Sequence, residues 1–186
     1  MTTHDAEFDP DDNFANGVPA PGMDADVDED ASIEAIVWQL LLMINPGDED
    51  AALQQFAAYQ EALATGDDDV EPVWRIRDVI DWKAGFHVDD DDPATCMDAI
   101  GELAARWNLR IDWGVEDASD DAFLAQAQVP ALIAVAFDRL REYGYTLWTW
   151  DTGTDATAGW ITLSRDDEGM RMVASALGID VRTGAA

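Results

Sequence analysis

From Tyr143 to Leu163 the chain reads Tyr-Gly-Tyr-Thr-Leu-Trp-Thr-Trp-Asp-Thr-Gly-Thr-Asp-Ala-Thr-Ala-Gly-Trp-Ile-Thr-Leu. Aromatic and β-branched residues alternate with polar ones on either side of a Gly and Asp cluster, which is the pattern of strand, turn and strand. The alternation predicts strands over 145–151 and 158–163, joined as the hairpin at the centre of a small, mostly antiparallel sheet. Trp148, Trp150 and Trp160 give this hairpin its weight. Each would bury roughly 150–250 Å², or about 4–6 kcal/mol gross at about 25 cal/mol per Å².

Elsewhere the apolar period is helical. Ile33, Ile36, Val37, Leu40, Leu41 and Ile44 form a stripe that Trp38, Leu42 and Met43 widen beyond one face. This predicts a helix capped at Ser32 and running to Ile44, stopped by Pro46-Gly47, and either buried on much of its circumference or docked on a partner. Asp48-Glu49-Asp50 opens a second helix with Phe56, Tyr59 and Leu63 on one side and Gly66 near its end. The two are expected to form an αα-hairpin. Residues 73–88 fit two periods: Val73, Ile76, Val79 and Ile80 suit a helix, whereas Trp74, Ile76, Ile80 and Trp82 fall on alternating positions. A short helix followed by a strand near Ile80 is the expected resolution.

Asp89 to Asp92 lead into Pro93, a cap followed by a proline in the first turn, for a helix to about Trp107. Leu109 to Trp113 reads as a strand ended at Gly114. Ser119, Asp120 and Asp121 open a short helix, and Pro130 opens a longer one with Ile133, Ala136, Phe137 and Leu140 in register up to Gly144. After the hairpin Ser164 is expected to cap a last helix bearing Met170, Val173, Ala174 and Leu177. Gly178 is its C′ residue, and 179–182 form a final short strand.

The elements together make an α+β fold: an N-terminal αα-hairpin and further helices covering a small sheet centred on the 145–163 hairpin. A chain of 186 residues has room for one domain with a real core. That domain is expected over 32–186, behind an acidic tail. Residues 1–31 combine acids with Pro10, Pro19, Pro21, Gly17 and Gly22 and few apolar side chains, too little burial to offset the entropy of ordering, so the tail is expected to be disordered. In an extended tail Asp24, Asp26, Asp28 and Asp30 stand about 6.5–7 Å apart on one side, close to two axial phosphate steps of a DNA strand at about 3.4 Å each. Acidic tails also serve simply to solvate. An EF-hand starting at Asp24 is excluded, since its sixth position is Glu29 and its twelfth Ala35.

Charge sharpens the picture. Asp and Glu number 40 against 10 Lys and Arg, for a formal net charge of −30, with Asp outnumbering Glu and Lys83 the only lysine. Residues 1–30 hold ten of the acids and no base, so the rest keeps a net −20. Such a surface repels nucleic acid and anionic lipid and draws in basic proteins. It also suits a salt-adapted protein that merely stays solvated. Many acids stand where helices begin, at 48–50, 89–92, 120–121 and 166–168, where each gains about 0.3–1 kcal/mol from the helix dipole. Four adjacent Asp exceed what a cap requires.

Few residues offer catalysis. Cys96, Ile100, Leu103 and Trp107 repeat at helical spacing, which places the single thiol in a core face. His4 lies in the tail, and His87 precedes four Asp that favour its charged form. Asp151-Thr152-Gly153 resembles the aspartic-protease signature, but it occurs once in a helix-rich chain, and the simpler expectation is a hairpin turn shaped by Asp151 and Gly153. Asp81-Trp82, Asp112-Trp113 and Trp150-Asp151 would line one edge with carboxylates and aromatic faces if the three came together, enough to hold a sugar or clamp an Arg. Core tryptophans are the alternative. There is no phosphate loop, no metal-ligand cluster and no basic patch. Neither metal, cofactor nor catalytic residue is therefore expected. No run reaches 18 apolar residues and the N-terminus lacks the features of a signal peptide, which implies a cytoplasmic protein with no membrane partner.

Ile80-Asp81-Trp82-Lys83, the run from Glu102 to Gly114, and Trp150-Asp151-Thr152-Gly153-Thr154-Asp155 with Ala158-Gly159-Trp160 resemble a bacterial family catalogued only as a domain of unknown function. The likeness covers roughly 32–184 and carries over no site residues. Cys96 to Gly114 is also similar in pattern to acidic regulators that bind and inhibit a ribonuclease. Together with the charge, this implies an acidic protein that neutralises or regulates a basic protein partner, as an immunity-type inhibitor does. The expected contact residues are the surplus acids Asp67, Asp68, Asp69, Glu71, Asp89, Asp90, Asp91 and Asp92, with Asp151 and Asp155 at the hairpin turn. The alternatives are a solvating protein with no activity of its own, and a carboxylate-based hydrolase or carbohydrate binder using Asp and Trp.

Overall fold

A computed structural model describes residues 24–66 and 69–184. Helix α1 (Asp24–Ile44) and α2 (Glu49–Thr65) pack on each other across the connection 45–48. The Asp48 carboxylate accepts the Ala51 N–H at 3.0 Å and so caps α2 as its sequence suggests. Two expectations change here. α1 begins at Asp24 rather than at Ser32, so Asp24, Asp26, Asp28 and Asp30 lie on a helix and lose the spacing of an extended chain. The buried stripe of Val37, Leu40, Leu41 and Ile44 anchors this helix on the core. Residues 1–23 of the expected tail lie outside the described residues.

The ambiguous stretch is a helix throughout, α3 (Pro72–Ala84), and the strand comes after it as β1 (Gly85–Asp89). Val73, Ile76 and Ile80 are buried, so the helical period prevails over the coincident alternation. Asp92 caps α4 (Pro93–Ala105), accepting the Thr95 N–H at 3.0 Å and its hydroxyl at 2.6 Å. Beyond α4 the expected strand at 109–113 is absent. Leu109, Ile111 and Trp113 alternate inward against the core with Arg110 and Asp112 outward, yet among the described residues the segment has no strand partner. Its alternation records one-sided burial rather than a ladder. α5 (Asp121–Leu124) and α6 (Val129–Glu142) follow much as the sequence implies.

β2 (Tyr145–Asp151) and β3 (Ala156–Leu163) form the central hairpin, with Trp148 opposite Trp160. Ser164 does not cap the last helix directly. A 3-10 turn (Ser164–Asp166) intervenes before α7 (Asp167–Ala176). At its far end Ile179 N–H bonds the Ala174 carbonyl at 2.8 Å and Gly178 N–H that of Ser175 at 3.1 Å, a Schellman closure with Gly178 at φ +71°. β4 (Val181–Thr183) then returns to pair with β2.

The sheet is antiparallel throughout, in the order β1-β3-β2-β4. Helices cover both faces. Trp148, Trp150, Ala158 and Trp160 face α1, α2, α3 and α7, whereas Phe86, Val88, Leu147 and Ile161 face α4 and α6. Thr146 and Thr162 on the first face are wholly buried but hydrogen-bonded: the Trp148 indole N–H donates to Thr162 Oγ1 at 2.9 Å, and the Thr146 hydroxyl donates to Asp167 at 2.6 Å. Arg141 bonds both Thr146 and Asp167 at 2.7 Å, which ties the last turn of α6 to β2 and α7.

Candidate functional site

One end of the sheet gathers acids. Asp89 closes β1 opposite Ala156 of β3, and Asp151 closes β2 opposite Thr157. The Asp90 N–H donates to the Asp155 carbonyl at 3.0 Å, and the Asp90 carboxylate accepts the Thr157 hydroxyl at 2.6 Å. These bonds draw the loop after β1 against the hairpin turn. As a result Asp89, Asp90, Asp91 and Asp155, far apart in sequence, line one open depression. Asp92, next in line, is committed to its cap, and the two Thr95 bonds hold its carboxyl below the usual value.

The remaining expected residues are placed differently. Asp151 shapes the turn by accepting the Gly153 N–H at 2.8 Å, with Gly153 at φ +69°, a conformation in which glycine carries no Cβ penalty. The Asp151 carboxylate also stands 3.9 Å from Arg182, which Asp180 holds at 3.0 Å. Asp180, and to a lesser extent Asp151, raise the Arg182 pKa. Asp69 and Glu71 are exposed in the connection between α2 and α3 and do not line the depression. Asp67 and Asp68 lie outside the described residues.

The Trp-Asp pairs do not converge. Trp82 lies in the last turn of α3 and is 45% exposed, Trp113 packs under the α4 and α6 face, and Trp150 is buried on the opposite face of the sheet. The side chain of Asp81 lies outside the described residues. Cys96 is fully buried, and burial first, then the Asp92 and Asp90 charges, pushes its thiol up to about 12. Among the described residues no group of three or more His, Cys, Asp or Glu is placed to hold a metal ion. No helix among them is long and apolar enough to cross a membrane.

A second feature adjoins the acids and was not read from the sequence. Between α3 and β1 a cleft of about 270 Å³ is lined by Arg77, Asp78 and Trp82 from the helix, Gly85 and His87 from the strand, and Trp150 behind. Trp74 braces one side, edge-on to Trp150 at 5.1 Å and to His87 at 6.5 Å, with the Arg77 guanidinium over its ring. Arg77 bonds Asp78 at 2.6 Å, so the two charges in the cleft compensate each other. The alternation of Phe86 and Val88 with Gly85, His87 and Asp89 signals β1 in the sequence, but Ile80 and Trp82 mask it by offering a competing alternation nearby.

Comparisons with curated proteins and with solved structures give no match. The likeness of Cys96 to Gly114 to ribonuclease regulators thus gains no support, and the latter half of that run is not a strand. A family model does match, over residues 36–184, which take in every element from the body of α1 to β4. The chain belongs to the family described as Domain of unknown function (DUF6630).

Proposed function

We propose that this chain is a cytoplasmic acidic binding protein that neutralises or regulates a basic protein partner, in the manner of an immunity protein or a nuclease inhibitor. The observation that carries the proposal is the depression at the sheet end. Among the described residues Asp89, Asp91 and Asp155 have neither a side-chain hydrogen bond nor an ion pair, so their charge is not consumed by caps or turns. A fixed cluster of free carboxylates inside a net −20 focuses an attractive field for cations and raises the association rate of a basic surface.

Capture from host lysate at about 0.1 M and about 1 M salt, where the Debye length falls from about 10 Å to about 3 Å, tests this reading beside melting curves at the same salts. A basic protein retained at low salt and released at high salt is the expected result. If nothing basic is captured and the fold needs salt to persist, the acidity serves solvation and the proposal falls.

A further inference from the structure

Among the described residues β1 is an edge strand, since it pairs there only with β3. The Asp90 N–H bond to Asp155 sets the phase of that pairing: Phe86, Val88 and Asp90 turn their backbone groups toward β3, and His87 and Asp89 turn theirs outward. No other described residue hydrogen-bonds the outward N–H or C=O of His87, or the N–H of Asp89. The opposite edge, β4, is three residues long and carries Arg182. Along its pairing length β1 has no proline, no lysine and no bulge to blunt it. Its only guard is the acidic end, which repels another acidic chain and admits a basic one.

Building on the basic-partner reading above, we infer that the outer edge of β1 takes up an extended basic segment of the partner as a fifth strand. The geometry sets the pattern of that segment. Gly85 to Asp89 spans about 13 Å at about 3.3 Å per residue, so five or so residues cover both the cleft and the first acids. Side chains directly opposite one another share a face of a sheet. The partner residue beside Gly85 and His87 therefore points into the cleft, where the paired Arg77 and Asp78 leave no net charge and the exposed Trp82 ring offers apolar surface. Residues two and four farther along on that face meet Asp89 and the Asp91 and Asp155 depression. The recognised pattern is an apolar or aromatic residue followed, at alternate positions, by Lys or Arg. A second copy of this chain is disfavoured as occupant by its own net charge of −30.

The probe is the synthetic peptide acetyl-Lys-Thr-Lys-Thr-Phe-Thr-Lys-Thr-Lys-amide, whose symmetry presents the same pattern in either strand direction. Two further forms carry N-methyl groups on one or the other alternate set of amides. Titration followed by tryptophan fluorescence should show binding that weakens with salt. One methylated form should lose about ten-fold or more, because its strand hydrogen bonds are blocked, while the other keeps its affinity. Trp82→Ala should weaken the parent peptide, and the bound peptide should slow amide exchange at His87. Equal binding of all three peptides would leave attraction to the acidic end intact and overturn strand addition. If no peptide binds while a basic protein is still captured from lysate, strand addition alone falls. If neither occurs, both fall.

Discussion

Asp92 receives two hydrogen bonds from Thr95, and these hold its carboxyl below the ordinary value of 3.8. A depressed folded pKa gives stability that is full above the unfolded value and is lost as the pH falls through the folded one. The advantage of the native protein over Asp92→Ala should therefore be constant near neutrality and shrink below pH 3.8, as urea titrations of both at a series of pH values would show. An advantage that grows on acidification would contradict the cap. Cys96 makes the opposite point. A thiol buried in the core with its pKa pushed up to about 12 should resist alkylation in mildly alkaline buffer until the protein is unfolded, then react fully. Both roles were legible from neighbours in sequence, because a cap reaches three residues and a helical face repeats at three and four. That Asp89 and Asp155 stand side by side was not, since only the register of β1 on β3 brings them together.

Among the elements, the hairpin was legible to within two residues because its period has no helical counterpart and Trp148, Trp150 and Trp160 need cover. α3 misled because Ile76 and Ile80 satisfy a period of two and of 3.6 at once, and only the burial of Val73, Ile76 and Ile80 against the first face decides. Leu109 to Trp113 alternates in the right way, but a strand also needs a neighbour with free backbone groups, which sequence alone does not supply. Glycines test the packing of these elements. A Cβ at Gly159 would fall on the Trp148 carbonyl oxygen and 2.9 Å from the Phe86 ring. Because the obstacle is backbone inside the β2–β3 ladder, Gly159→Ala should cost at least the upper part of the about 1–3 kcal/mol typical of overpacking. In α4, Gly101 has nothing within 4 Å of its Cβ position, and Gly101→Ala should gain about 0.5–1 kcal/mol. Urea midpoints of the two variants should move in opposite directions, and a neutral Gly159→Ala would contradict the close approach of β3 to the Trp148 carbonyl of β2.

At the scale of the whole molecule, charge acts on two equilibria with opposite signs. Screening relieves self-repulsion and should raise the melting temperature, while the same screening should loosen a basic partner. The acidic balance was legible from composition alone. Where it concentrates was not, because the same carboxylates serve as helix caps at Asp48 and Asp92, as turn formers at Asp151, and as unpaired surface charge at Asp89, Asp91 and Asp155. The most direct test compares capture of a basic protein at low salt by the native chain, by Asp89→Asn/Asp91→Asn/Asp155→Asn, and by a control that neutralises the exposed Glu61, Glu102 and Glu116 as Gln. Asp90 is left intact because it holds Thr157. The sheet-end variant should lose the partner while the control, with the same net charge, retains it. Equal retention by both variants, or equal loss, would contradict an interaction centred on that end of the sheet.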